Sequence, residues 1–252
     1  MRTFFRWLIG SWALAGLLVL PQAAVVAQVV RVEQETAAAQ AREAVAASTA
    51  GERQYIAITF DDGPRRSTTG ELLDALLERG VHATFFLIGE QLEGCEDLVK
   101  RMEAEGHQVG IHTLDHVRLT ALSNADFSRE VESVRGDIEA LVGHGELLLR
   151  PPYGLVDPGV RRRSGSPIIL WSIDPEDWGD KGVDRIVEHV CSRASDGDII
   201  LLHDIYPTSA EAAIRIVDEL HRRGFLFLTV SELAREKQVE LKNGEVYNSF
   251  PG

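Results

Sequence analysis

Two adjacent carboxylates are the first residues of this sequence that could do chemistry. Asp61 and Asp62 follow a short apolar run, and Gly63-Pro64 then turns the chain. Neighbouring carboxylates repel each other unless a cation binds them, or one of them is protonated or hydrogen-bonded. Aspartate before glycine is also common in ordinary turns. The pair therefore indicates a cation site only if other ligands accompany it.

Two histidines supply those ligands. His112 and His116 are four positions apart, a spacing that lets both imidazoles reach one metal ion on a helix or at a strand-to-loop corner. Because His112 ends an apolar run, the corner is favoured. One aspartate and two histidines leave a fourth position open for water, which is typical of a catalytic zinc site. The same ligands also suit cobalt, iron and other divalent metals.

Three further polar groups follow apolar runs, at 150–153, 174–178 and 201–204. Arg150 precedes two prolines, which fix its position, so it could hold an aspartate in the ionised form. His203 follows a run of aliphatic residues and is expected to face the same site. Considered singly, an arginine before a turn or a histidine after a strand is more often structural. Their shared position after apolar runs is what favours function.

Short apolar runs alternate with amphipathic stretches through residues 53–236. The runs predict seven strands, over 55–60, 83–88, 108–112, 147–150, 168–173, 198–203 and 225–229. The stretches predict helices over 68–79, 96–105, 126–141 and 209–222, and Gly80, Gly106 and Gly224 stand at left-handed capping positions. Seven βα units imply a parallel sheet, either open or closed into a barrel. In both cases the site lies at the carboxyl ends of the strands.

The N-terminus has the composition of an export signal. Arg2 and Arg6 precede an apolar stretch over 8–20, and small residues follow near Ala27. We predict a signal peptide over 1–27, with an uncleaved membrane anchor as the main alternative and a buried helix as a third. Either of the first two places the domain outside the cytoplasm, in the periplasm or secreted.

The remaining segments flank the predicted domain over 53–236. Residues 28–52 are rich in Ala, Gln and Glu and lack large apolar side chains, which predicts a spacer. Residues 237–252 contain Asn243-Gly244 between two short alternating runs, which predicts a hairpin. A frayed tail is the alternative.

The composition excludes several classes of protein. The chain has 252 residues, a net charge of -13, 44% hydrophobic and 26% charged residues. These values are typical of a globular protein, and they exclude a disordered chain, a collagen and a disulfide-stapled mini-protein. The acidity argues against nucleic-acid binding. The basic run 161–163 is either solvated or in contact with an anionic polymer, and Cys95 and Cys191 could pair in an oxidising compartment.

The five polar groups, taken in order, resemble the motifs of the polysaccharide deacetylases that share the NodB homology domain, carbohydrate esterase family 4. They lie at 59–64, 112–116, 150–153, 174–178 and 201–203. The resemblance covers about 54–234. It implies an α/β fold, a distorted (β/α)7 barrel of about seven parallel strands, and a metal-dependent hydrolase. We expect the protein to be a monomer. Its substrates would be N-acetylated sugars of peptidoglycan or an exported polysaccharide. The segment 154–167 departs from the family, because it is short and lacks a full helix.

The resemblance also implies roles for individual residues. Asp61 would be the general base and His203 the general acid. Asp62, His112 and His116 would hold a divalent metal, with zinc as the first expectation and cobalt or iron as alternatives.

Other residues would support this set. Arg150 would orient Asp61, the main-chain amide of Tyr153 would bind the oxyanion, and Asp177, with Asp174 in the same motif, would tune His203. The acetyl pocket would be formed by Pro152, Trp178 and Leu201.

Two other functions are compatible with the sequence. An O-acetyl esterase needs the same site, because the site meets a carbonyl and a leaving atom and little else. A non-catalytic saccharide-binding protein that retains the metal site is the second. It is disfavoured because both Asp61 and His203 are present.

Overall fold

A computed structural model describes residues 53–143, 145–179 and 181–251. The predicted signal or anchor over 1–27 and the spacer over 28–52 lie outside the described residues. In the described part of the chain, no helix has the length and apolar character needed to cross a membrane.

The core of the fold is a sheet of parallel strands. They are β1 (Gln54–Asp61), β2 (Thr84–Leu87), β3 (Gln108–Ile111), β4 (Leu148–Leu149), β5 (Ile168–Ile169), β6 (Ile199–His203), β7 (Phe225–Phe227) and β8 (Val246–Tyr247). The order across the sheet is β6-β1-β2-β3-β4-β5-β8, and β7 pairs with β1. Every one of these strand pairings is parallel. The seven predicted strands are all present and form a curled half-barrel, so the predicted (β/α)7 fold is confirmed.

Helices follow most of the strands. They are α1 (Thr69–Glu78), α2 (Glu96–Ala104), α3 (Asn124–Val142), α4 (Pro158–Arg163), α5 (Val183–Arg193), α6 (Pro207–Arg222) and α7 (Val230–Glu236). The four predicted helices correspond to α1, α2, α3 and α6. Gly80, Gly106 and Gly224 have φ values of 62°, 85° and 91°, so each takes the left-handed conformation expected where a helix ends.

The central strands are covered on both faces. The last six residues of β1 and all four residues of β2 are buried. Continuous burial explains why these strands are uniformly apolar rather than alternating. The helices cover them with aliphatic stripes, as in α6, where Ile216, Val217 and Leu220 are fully buried. Burying one such side chain contributes about 1.5–3 kcal/mol.

The prediction of a hairpin or tail over 237–252 was wrong. Gly244 does take a turn conformation, with a φ of 78°. The segment after it, however, forms β8, which pairs in parallel with β5 rather than antiparallel with the preceding residues. The backbone of Ile168 donates to the Glu245 carbonyl at 2.9 Å, and Leu170 donates to the Tyr247 carbonyl at 2.8 Å. An open edge of β5 offered partners that the local pattern could not reveal.

The structure shows the contacts of two residues of the basic run and the state of both cysteines. Within the basic run, Arg161 pairs with Glu245 at 2.6 Å, and the Arg163 guanidinium lies 4.3 Å from the centre of the Phe127 ring. Both side chains therefore hold segments of the chain itself. Cys95 is buried, Cys191 is half-buried, and both are free thiols in this structure.

Candidate active site

The sheet brings the predicted site residues to one end of the barrel. Asp61 is the last residue of β1, and its register partner on β6 is His203. His112 directly follows β3, and Arg150 directly follows β4. These are the carboxyl ends of parallel strands, where ligands bind in such folds.

Arg150 fixes the first aspartate. It is fully buried, and its Nη1 donates to Asp61 Oδ1 at 2.7 Å and to the Thr59 hydroxyl at 2.7 Å. Its other nitrogens donate to the carbonyls of Ile169 and Leu170, at 3.2 and 2.9 Å. A buried cation is tolerated only when it is paired and its donors are used, as here. One oxygen of Asp61 is thus engaged, and the other is left to face the site.

His112 is oriented to present a lone pair to the site. Its Nδ1 donates to the Arg150 carbonyl at 2.7 Å. The proton therefore sits on Nδ1, and Nε2 is free to coordinate. Metal-binding histidines usually donate their other ring nitrogen to a carbonyl or carboxylate in this way. That Nε2 lies 3.4 Å from Asp62 Oδ1 and 3.7 Å from Asp61 Oδ2.

Asp62, His112 and His116 form a set of donors that fits a cation. Their ligand atoms all lie within 4.8 Å of one another. Asp62 Oδ1 is buried without a hydrogen-bond partner, 3.4 Å from His112 Nε2 and 3.5 Å from His116 Nε2. Tetrahedral ligands at about 2.0–2.1 Å from zinc stand about 3.3 Å apart. The unpartnered carboxylate oxygen and these separations are what a divalent cation requires.

The protonation states of this set also suit a metal. Burial raises the pKa of Asp62, but the contact with His112 and the charges of the nearby histidines outweigh it, so the net shift is downward. Burial, together with the charge of His112, lowers the pKa of His116. An ionised carboxylate and a neutral imidazole are the ligand forms that bind metal.

The loops that carry these residues have strained backbones. Asp62, Thr113, His116 and Tyr153 all have positive φ values, between 62° and 72°. Such conformations cost roughly 1–3 kcal/mol each in residues other than glycine, and they persist only where surrounding contacts hold them. Their concentration around one cavity is a further mark of a functional site.

His203 and Asp177 form the second pair. His203 Nδ1 donates to Asp177 Oδ1 at 2.8 Å, and the His203 amide donates to Asp177 Oδ2 at 2.9 Å. Burial lowers the pKa of His203, but the bond to Asp177 and the charges of Asp177, Asp61 and Asp62 raise it to about 9. His203 is therefore protonated at neutral pH, with Nε2 free. Asp174 accepts from the Glu176 amide instead, and burial raises its pKa.

A cavity of about 410 Å³ joins the two halves of the site. The predicted residues in its wall are Asp61, Asp62, His112, His116, Tyr153, Asp174, Trp178, Leu201 and His203. Arg150 and Asp177 are buried and support it through Asp61 and His203. Pro152 is buried next to Tyr153 and is not among the described residues that line this cavity, so its place in the acetyl pocket stays a prediction. Tyr153, with a φ of 62°, contributes its ring to the wall.

Two aromatic residues of the wall, Trp171 and Tyr206, were missed. Trp171 was concealed in the predicted strand 168–173, which ends at Ile169. Tyr206 follows His203 by three residues, and an aromatic residue shortly after a strand-end histidine could have indicated it.

Comparisons with known proteins agree with this geometry. A model described as polysaccharide deacetylase matches residues 48–166. A peptidoglycan-N-acetylglucosamine deacetylase of Bacillus cereus is 39% identical over 192 residues, which cover 73% of this chain and 90% of that protein. The chain belongs to the polysaccharide deacetylase family.

Two other similar proteins are informative. The peptidoglycan-N-acetylmuramic acid deacetylase PdaC of Bacillus subtilis is 40% identical over 191 residues, which cover 75% of this chain and 41% of that protein. The chain thus spans about two fifths of the length of that relative. A family 4 acetyl xylan esterase from Clostridium thermocellum, solved with a cobalt ion, superposes with a TM-score of 0.75 at 28% identity, covering 79% of this chain and all of that one.

Proposed function

We propose that this protein is a metal-dependent hydrolase that removes acetyl groups from N-acetylated sugars of a polysaccharide. The observation that carries the proposal is that two proton-transfer groups with different environments, Asp61 and His203, line one cavity. Asp61 is held by Arg150, His203 is held by Asp177, and the metal-fitting set of Asp62, His112 and His116 lines the same space. An amide hydrolase needs a base, an acid and an electrophile in this relation.

Asp61 serves as the general base. Its Oδ1 is engaged by Arg150, so Oδ2 is the atom that takes the proton from the attacking water. The guanidinium keeps the carboxylate in place and balances its charge within a buried site. General-base catalysis of this kind contributes about 10²–10⁴-fold to a rate.

His203 serves as the general acid. An amine is a poor leaving group unless it is protonated as the carbon–nitrogen bond breaks. With a pKa raised to about 9, the imidazolium of His203 carries the needed proton at neutral pH. Its bond to Asp177 holds Nδ1, so Nε2 is the atom that donates to the sugar nitrogen.

Asp62, His112 and His116 would hold the cation. When bound, a divalent metal supplies Lewis-acid polarisation of oxygen atoms in the site. Zinc is proposed first, because its ligand preferences match the set, with cobalt and iron as alternatives. The main-chain amide of Tyr153 is proposed as a donor to the developing oxyanion, a type of contact worth about 3–4 kcal/mol.

The substrate is proposed to be peptidoglycan or an exported polysaccharide. The names of the bacterial relatives support peptidoglycan, since they are called deacetylases of its two amino sugars. Such a substrate implies a protein that acts outside the cytoplasm, periplasmic or secreted. This agrees with the export signal or anchor predicted from the sequence over residues 1–27.

The decisive experiment is mass spectrometry of candidate substrates after incubation with the zinc-loaded protein. N-acetylglucosamine oligomers and peptidoglycan fragments are expected to lose acetyl groups, with acetate released in equal amount. Asp61→Asn protein is the inactive control. No loss from any substrate would favour the saccharide-binding alternative.

An O-acetyl esterase is the second candidate. The likeness to an acetyl xylan esterase favours it. The leaving group of an ester is an alcohol oxygen. Its departure depends less on the proton of His203 than the departure of an amine does. O-acetylated xylan in the same experiment separates the two: faster acetyl loss from xylan than from the amides would make the esterase the principal activity.

A further inference from the structure

A buried carboxylate outside the proposed catalytic set contacts the loop that carries both histidine ligands. Glu130 lies on α3 and is 0% exposed. Its Oε2 accepts from the Leu114 amide at 3.2 Å and from the Asp115 amide at 3.4 Å. These two amides lie between His112 and His116 in the chain. Nothing in the proposed reaction requires Glu130, so its burial calls for another explanation.

The loop needs external support. Thr113 and His116 both take left-handed conformations, with φ values of 69° and 64°. Neither is glycine, so both conformations are strained. Within the loop, the His116 amide donates to the Thr113 hydroxyl at 3.0 Å. The loop therefore depends on the elements around it to keep its shape.

Two elements supply that support. The backbone amides of Gly89 and Glu90 donate to the Thr113 and Leu114 carbonyls, each at 2.9 Å. These bonds pair the carbonyls of Thr113 and Leu114. Glu130 pairs the amides of Leu114 and Asp115. The second oxygen of Glu130 accepts from Arg129 Nη2 at 3.3 Å, which supplies a counter-charge. The loop is thus bound through both its acceptors and its donors.

We propose that Glu130 is a positioning residue for the metal centre, which sets the separation of His112 and His116 by binding the two amides between them. The proposal rests on the metal site of the proposed function. In the metal-free protein, the loop would then already be organised before the cation binds. Loss of the Glu130 carboxylate would lower metal affinity, because metal binding would then include the cost of ordering the loop.

The test uses the full chain, freed of metal and titrated with Zn²⁺ against a competing chelator. Glu130→Leu removes both acceptors, and Zn²⁺ affinity is expected to fall about 10–100-fold, as for other residues that support metal ligands. Amide exchange at Leu114 and Asp115 in the metal-free protein is expected to become faster. Glu130→Gln keeps one acceptor oxygen at the same reach and is expected to retain affinity near that of the original protein.

The control is Ile138→Ala, which shortens a fully buried side chain about two turns beyond Glu130 on the same helix. It is expected to lower stability and leave Zn²⁺ affinity unchanged. If Glu130→Leu does not fold, Glu130→Asp replaces it, because the shorter side chain keeps the charge and withdraws the oxygens. Unchanged affinity in the folded variant, or equal loss in Ile138→Ala, would overturn the proposal. Neither readout uses a substrate, so a wrong assignment of the deacetylase activity would leave this test valid.

Discussion

Adjacent residues of the same type have different environments in this site. Asp61 is bound by a fully buried arginine, whereas Asp62 presents an unpartnered buried oxygen to two imidazoles. The first arrangement leaves a carboxylate that can accept a proton, and the second leaves one that can bind a cation. The roles of the pair follow from these neighbours, since the side chains themselves are identical.

The replacement Asp61→Asn tests this separation. It removes the proton acceptor but keeps the size of the side chain, so turnover is expected to fall by about 10²–10⁴-fold. Metal content, measured by elemental analysis, is expected to stay unchanged because Asp62 and the histidines remain. Asp115→Asn is the matched control, since Asp115 is exposed in the loop between the two histidines. Activity comparable to that of the control would show that Asp61 is not the base.

The replacement Asp177→Asn tests the second pair. The general acid works only while protonated, so its contribution is present below the pKa of His203 and is lost as the pH rises through it. Asp177 helps to raise that pKa to about 9. Without the carboxylate the pKa falls, and the alkaline limb of kcat/KM is expected to move to lower pH. Asp174→Asn, which removes a carboxyl group not bonded to the ring, is expected to move it less. A pH profile identical to that of the unmodified protein would contradict the pairing.

At the scale of elements, the sequence predicted the positions of the strands better than it predicted which strands pair with each other. Runs such as the one in β1 are buried on both faces, so their composition alone identified them. The end of β5 was misjudged because Trp171 is as apolar as the strand before it. The partner of β8 was misjudged because pairing with β5 depends on a strand edge about 80 residues earlier in the chain. The contact of Glu130 with the 112–116 loop could not be predicted either, because it depends on how α3 packs against that loop.

The turn after β1 shows how closely one element fits another. A Cβ on Gly63 would lie 2.7 Å from Asp204 Cγ, and nearer still to both oxygens of that fully buried carboxyl group. The carboxyl group is also held by the Thr69 hydroxyl, at 2.5 Å from Oδ2, so it has little freedom to move. The shape of the backbone at this turn therefore depends on the absence of a side chain at Gly63.

We expect Gly63→Ala to displace the turn that carries Asp62 and to lower Zn²⁺ affinity, measured by chelator competition. Gly136→Ala is the contrasting variant, because Gly136 lies in α3 and an added Cβ would meet nothing within 4 Å. That change is expected to stabilise the protein by up to about 1 kcal/mol and leave metal binding intact. Normal affinity in Gly63→Ala would mean that the turn can yield without moving the ligand.

At the scale of the whole described domain, two contacts connect the ends of the open sheet. Ile173, beyond β5, forms a parallel bridge with Ile200 of β6, and Ser249, beyond β8, forms an antiparallel bridge with Asp198. The Phe250 amide donates to the Gly197 carbonyl at 2.8 Å, and the Phe250 ring is 2% exposed. The C-terminal segment therefore helps to close the half-barrel at the end of β6 that lies opposite His203.

Because Phe250 lies at the end of the strands opposite the site, its replacement is expected to change stability without changing metal binding or proton transfer. Phe250→Ala removes a buried ring and is expected to lower the free energy of unfolding by about 3–5 kcal/mol, measured by chemical denaturation. Zn²⁺ affinity and the pH profile of the folded protein are expected to be unchanged, because the metal-fitting set and His203 lie at the other end of the strands. Leu77→Ala, at a side chain that is 55% exposed, serves as the control and is expected to change stability by less than about 0.5 kcal/mol. A loss of metal affinity in Phe250→Ala would show that closure of the barrel also shapes the site.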